Sequence, residues 1–170
     1  MAAGFLTKKR IMTPIVCMIA AILLGGCGGS SDGSGDSVSV ETGSLSKAEF
    51  VSRANAICTA VRNQFTREYE EFVTKGRKGH SAAEESAFLH ETIEKLVVPD
   101  YEDRMIGGIA TLGAPPAYAP EVTKFLEALK QRLVEIQDDP EKLIQTAFPF
   151  SSASKAAQAA GLKGCANSFS

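Results

Sequence analysis

The chain has 170 residues, 18 of them basic and 20 acidic, for a formal charge of −2. That balance argues against nucleic-acid binding, which wants a basic face, and the length suits one domain with an appended segment. Lys8, Lys9 and Arg10 open the chain, and a 14-residue run from Ile11 to Leu24 follows, broken only by Thr13 and Pro14. Such a run falls short of the roughly 18–20 apolar residues that span a bilayer. It has the length of a signal-peptide core, with its basic residues placed as the positive-inside rule expects.

Leu24, Gly25, Gly26 and Cys27 end that run. An aliphatic residue, two small residues and a cysteine resemble the lipobox read by lipoprotein signal peptidase. The resemblance implies cleavage before Cys27 and a diacylglycerol thioether on its sulfur, with palmitate-type acyl chains as the membrane anchor. Leu24, Gly25 and Gly26 would flank the cut. Residues 1–26 are then a lipoprotein signal peptide, and the expected location is the extracytoplasmic face of the cell membrane. Removing Lys8, Lys9 and Arg10 leaves 15 basic residues against 20 acidic, a formal charge of −5. An acidic domain has no polybasic grip on anionic lipid, so the acyl chains would hold it down.

Residues 27–45 read as the lipidated cysteine and a flexible linker, because the stretch from Gly28 to Ser44 is rich in Gly, Ser and Asp with two isolated valines. It has too little apolar surface to fold alone, and a coil of that length spans roughly 20–25 Å.

The domain is expected over 46–170. Ser46 and Glu49 form a Ser-x-x-Glu capping box, with Leu45 and Phe50 as a hydrophobic staple. Phe50, Ala54, Ile57, Cys58, Val61, Phe65, Tyr69, Phe72 and Val73 then repeat at three and four, which predicts a helix to Gly76. Ser81 and Glu84 start a second helix, whose stripe is Phe88, Leu89, Ile93, Leu96 and Val97. Pro99 predicts a kink or short break, and Tyr101, Met105, Ile106, Ile109 and Leu112 resume the period. A third helix is expected from Pro120 to Gln137 on Val122, Phe125, Leu126, Leu129, Leu133 and Ile136. A short helix follows at Asp139-Pro140, with Leu143, Ile144 and Ala147 as its apolar face. Phe148 and Phe150 are expected to plug the bundle end. A last helix is expected from Ser151 or Ser152 to Ala160, with Gly161 beyond its end. No strand-like alternation is present. The fold class is all-α, a small bundle of three long helices plus short C-terminal helices, closed by one disulfide.

That disulfide follows from counting. Cys17 belongs to the signal peptide and Cys27 to the lipid, which leaves Cys58 and Cys165 a single pairing. An oxidising compartment favours the bond, which closes a loop of about 108 residues with a chain-entropy value of roughly 4–5 kcal/mol. Two buried free thiols are the alternative. No Cys-x-x-Cys pair suggests redox chemistry.

Ser46-Lys47-Ala48-Glu49-Phe50, Ala54-Asn55-Ala56-Ile57-Cys58, Leu112-Gly113-Ala114-Pro115-Pro116 and Gly161-Leu162-Lys163-Gly164-Cys165 resemble small secreted lipoproteins of high-GC Gram-positive bacteria. The resemblance implies the lipid tether and the disulfide, and it carries over no catalytic residue.

Residues able to do chemistry are few. His80 and His90 are the two histidines, and His90 with Glu91 and Glu94 lacks the further ligands that zinc needs. Glu91 and Lys95 read as a helix-stabilising pair. Glu68, Glu70 and Glu71 flank Tyr69 on a solvated helix face, without the contrasting environments that acid–base catalysis needs. Ser151, Ser152 and Ser154 lack a nucleophile elbow. The chain is therefore expected to be non-catalytic, with no cofactor and no metal. Two functions remain: a membrane-anchored interaction module for an envelope protein, and a small-ligand binder using a gap near Tyr101, Tyr118 and Phe148. Nucleic acid is not an expected partner.

Overall fold

A computed structural model of the chain describes residues 37–76 and 81–169. The Leu24–Cys27 motif, most of the linker and His80 lie outside the described residues. Helices α1 (Lys47–Gly76) and α2 (Ala82–Thr92) open the domain. The helical path continues through π-helical turns at Ile93–Val97 and Pro99–Gly107 into α3 (Gly108–Ala110). Then come α4 (Ala119–Asp138), a 3-10 turn at Pro140–Leu143, α5 (Ser151–Ala159) and α6 (Lys163–Asn167). The all-α bundle closed by one disulfide is the observed fold, and no strand occurs among the described residues.

The capping boxes set the first two helix starts. The Ser46 amide donates to Glu49 Oε2 at 3.0 Å, and the Glu49 amide returns to Ser46 Oγ at 3.3 Å. The Ser81 amide donates to Glu84 Oε2 at 2.6 Å. Each carboxylate thus meets amides that the first helical turn leaves unpaired, at the positive end of the helix dipole.

Pro99 does not break the second helix. The chain widens there instead, and the Val98 amide bonds back five residues to the Ile93 carbonyl. Wider turns accommodate a residue without an amide hydrogen while the path stays helical. They also straighten a row of core residues. Ile93, Val97, Tyr101, Met105 and Ile109 are all buried at intervals of four. In an ordinary α-helix such a row drifts by about 40° per step, and π turns drift the other way. Alternating them keeps one row facing the core.

Around that row lie Phe50, Ala54, Cys58 and Val61 of α1, the predicted stripe of α4, and Phe150, Ala153, Ala157, Leu162 and Cys165 of the C-terminal part. Burial on this scale, about 1.5–3 kcal/mol per large apolar side chain, is what holds the helices together. Phe148 is 65% exposed while Phe150 is buried, so only the second of the two expected plugs enters the core.

Two regions depart from expectation. The linker is expected to be flexible through residue 45, but the structure ties its end to the domain. Thr42 bridges Ala114, the Gly43 amide donates to Ala114 O at 2.9 Å, and the Ala114 amide donates to Glu41 O at 2.8 Å. Val38, Val40 and Leu45 pack against the core. Two valines in alternation suffice once a neighbouring carbonyl and amide offer the strap a partner. The second departure is α6, a five-residue helix that carries Cys165.

Cys58 and Cys165 form the disulfide, with an S–S distance of 2.07 Å and Cα atoms 4.9 Å apart. Asn55 Oδ1 accepts from the Gly164 amide at 2.8 Å and the Cys165 amide at 3.3 Å, so a side chain of α1 caps α6. A Cβ on Gly164 would lie 2.8 Å from Asn55 Cβ, and glycine permits this approach. The Ser168 hydroxyl donates to Gly164 O and lies 3.1 Å from Cys58 O.

Candidate functional site

α1 outlasts the core. Its buried positions stop at Val61, and Phe65, Phe72 and Val73 are only half-buried. Its last turns pair instead with α2, where Phe72 stacks on Phe88 with ring centroids 4.9 Å apart. α4 ends at the same height with Asp138, and the chain turns through Pro140–Leu143. These three elements meet along a groove of about 720 Å³. Its floor is Phe65, Tyr69, Phe88, Leu89, Val97, Pro140, Leu143 and Ile144, and its rim carries Glu85, Asp138, Asp139, Glu141 and His90. Tyr69 is 40% exposed and Ile144 is 69% exposed, so the floor is open to solvent.

Arg132 fixes the outer wall. This mostly buried guanidinium donates from Nε to Pro149 O at 2.6 Å, from Nη2 to Lys142 O at 2.8 Å and from Nη1 to Glu135 Oε2 at 2.9 Å. One planar fork thus clamps both ends of the 142–149 loop against α4. Sequence periodicity places Arg132 on the polar side of its helix and gives no hint of this task.

The rim is electrostatically one-sided. α4 has no basic residue in its last turn, and Asp138 and Asp139 stand at the negative end of its dipole. Lys142 lies 3.9 Å from Asp139 Oδ2 at a partly exposed position. No described side chain is paired with Glu85 or Asp138. The expected Glu91–Lys95 pair is present at 2.5 Å on the exposed side of the helix. His90 reaches the groove, and no group of His, Cys, Asp or Glu suited to a metal occurs among the described residues.

Of the residues near the expected ligand gap, Tyr101 and Tyr118 are buried and Phe148 is exposed. Tyr101 is buried among Phe65, Phe150 and Phe169, and burial pushes its hydroxyl up to about 12. The Tyr118 hydroxyl donates to Ala160 O, and its ring meets Phe50 edge-on at 5.7 Å. Both tyrosines are engaged in packing, whereas the groove at the α1–α2–α4 end is open.

The remaining polar candidates are separated. Glu70 and Glu71 face solvent beside Arg67 and Thr74. Glu68 accepts from Gln64 Nε2 at 2.6 Å and approaches Arg104 at 3.4 Å. Ser151 and Ser152 are exposed at the start of α5, and Ser154 Oγ donates to Ala166 O at 3.1 Å. One buried group was missed by sequence reasoning. Asp100 is fully buried, pairs with Arg104 through Oδ1, and its Oδ2 has no hydrogen-bond partner among the described residues.

Comparison with protein-family models, with curated proteins and with solved structures yields no match. What the fold defines is a class: a small disulfide-closed helical bundle with an open, acid-rimmed apolar groove at one end.

Proposed function

We propose that this protein is a lipid-anchored, extracytoplasmic interaction module without catalytic activity. The tether rests on the Leu24–Cys27 layout, with a basic and apolar segment before it and a Gly/Ser-rich linker after it. The binding role rests on one observation: apolar side chains, Tyr69 and Ile144 among them, stay open along the groove while the core beneath is closed. Contiguous exposed apolar surface with a polar rim is the mark of an interaction site. Glu85, Asp138 and Glu141 stand exposed on that rim, which does not supply the contrasting burial that acid–base chemistry uses. A second reading, small-ligand binding, is favoured by the groove's volume, which falls within the roughly 300–1,000 Å³ of known ligand sites.

Metabolic labelling with an alkyne fatty acid tests the tether. The wild-type chain should take up label and appear in membranes as the shortened form. Cys27→Ser should remain unlabelled and uncleaved. Equal labelling of the two chains would remove the basis of the proposal.

A further inference from the structure

We infer that the groove receives a basic, amphipathic polypeptide segment of a partner protein. The inference rests on the interaction-module reading and names the chemistry of its partner. The floor asks for apolar side chains at helical or extended spacing, and the rim asks for cations. Asp138 carries the charge argument. Asp138 and Asp139 stand at the negative end of α4, whose last turn has no basic residue; Lys142 beside Asp139 offsets only one of the two, and Asp138 is left as a local electrostatic conflict. Conflicts of this kind concentrate at functional sites, and a lysine or arginine seated beside the α4 end relieves this one. Glu141 and Glu85 extend the same sign across the opening.

Charge argues against the anchoring bilayer as the occupant. An acidic rim repels the anionic headgroups that attract basic surfaces.

The test uses the full lipidated chain in phosphatidylcholine nanodiscs, with empty nanodiscs as background. Fluorescence anisotropy follows a labelled amphipathic peptide of leucine and lysine, and a twin with glutamate in place of lysine. The lysine peptide should bind saturably and the glutamate twin should not. Asp138→Lys with Glu141→Lys should weaken binding at least about tenfold. Glu70→Lys with Glu127→Lys, an equal charge change outside the groove, should weaken it less than about threefold. Ile144→Ser, at an exposed position that spares the core, should also weaken it several-fold. Equal losses from the two charge pairs, or no loss from Ile144→Ser, overturn the inference in favour of diffuse attraction to an acidic domain. Absence of saturable binding overturns it as well. Dodecyltrimethylammonium binding as tightly as the peptide overturns it in favour of a small cationic amphiphile. Intact mass of the same preparation reads the lipid on Cys27 separately, so failure of the tether and failure of the groove are distinguished.

Discussion

Asp100 shows how a single residue can oppose the fold that contains it. It is buried on a π-helical turn with one carboxylate oxygen unpartnered among the described residues, a situation that costs about 1–3 kcal/mol. Burial pushes its carboxyl above the usual range, the Arg104 guanidinium pulls it back, and Glu68 pushes it up again. The folded protein therefore holds a proton on Asp100 at pH values where the unfolded chain has released it. Stability from this group is present below the ordinary carboxylate range and is lost as pH rises through the raised value. Glu49 has the opposite sign. Hydrogen bonds from the Ser46 hydroxyl and amide, with help from Arg53, hold it below its usual range, so its contribution is lost on acidification. Asp100→Asn removes the charge at neutral pH and keeps a neutral polar side chain there. The variant should be more stable than wild type near pH 7, and the difference should shrink as pH falls to 4. Urea midpoints across that range check it; a difference independent of pH would show that Asp100 does not titrate in the folded protein as described.

At the scale of elements, the strap joins the domain through two backbone hydrogen bonds with Ala114 and through Val38, Val40 and Leu45 packed against the core. A Cβ on Gly43 would lie 2.5 Å from Gly113 O and 2.8 Å from Gly113 Cα, and backbone atoms cannot step aside. Gly113 itself has φ +72°, which strains any other residue. Gly43→Ala should therefore break the two hydrogen bonds between the strap and Ala114, at a cost of about 1–3 kcal/mol. Hydrogen exchange should accelerate at the Gly43 and Ala114 amides and leave the middle of α4 unchanged. Unchanged protection at Ala114 would show that the crowding is relieved in another way. Arg132→Ala acts on the other end of the molecule. It should speed exchange across residues 142–149 and lower the affinity of the groove for its occupant. The same two regions mark the limit of what the sequence discloses. Apolar spacing reads α1 and α4 correctly because their buried stripes are periodic, and the Ser81–Glu84 capping box marks the start of α2, whose Phe88 and Leu89 are only half-buried. The strap, the π turns, α6 and the Arg132 clamp are tertiary consequences. Each depends on a partner far along the chain, such as Ala114 for Thr42 or Asn55 for Gly164, and local pattern carries no record of it. The groove at the α1–α2–α4 end was not foreseen for the same reason: aromatic residues such as Tyr101 and Tyr118 announce burial but not where space is left open.

For the molecule as a whole, the decisive link is the one between α1 and the chain's last turn. α6 has five residues and would not be stable in isolation. It is held by the disulfide, by Asn55 at its start, and by Leu162 and Ala166 in the core. These contacts belong to the same apolar cluster that joins α1 to α4, so the C-terminal part should not unfold separately. Removing the bridge with Cys58→Ala and Cys165→Ala relaxes the constraint on a long loop, with 107 residues of sequence separation. The expected loss is about 2–5 kcal/mol. It should appear as one cooperative transition at a lower urea concentration, seen alike by far-ultraviolet dichroism and by tyrosine fluorescence. Two separated transitions would mean that α5 and α6 form an independent unit pinned by the disulfide alone. The single transition follows from burial: Phe150, Ala153, Ala157 and Leu162 fill the space beside α4, and α4 cannot lose them without exposing its own stripe.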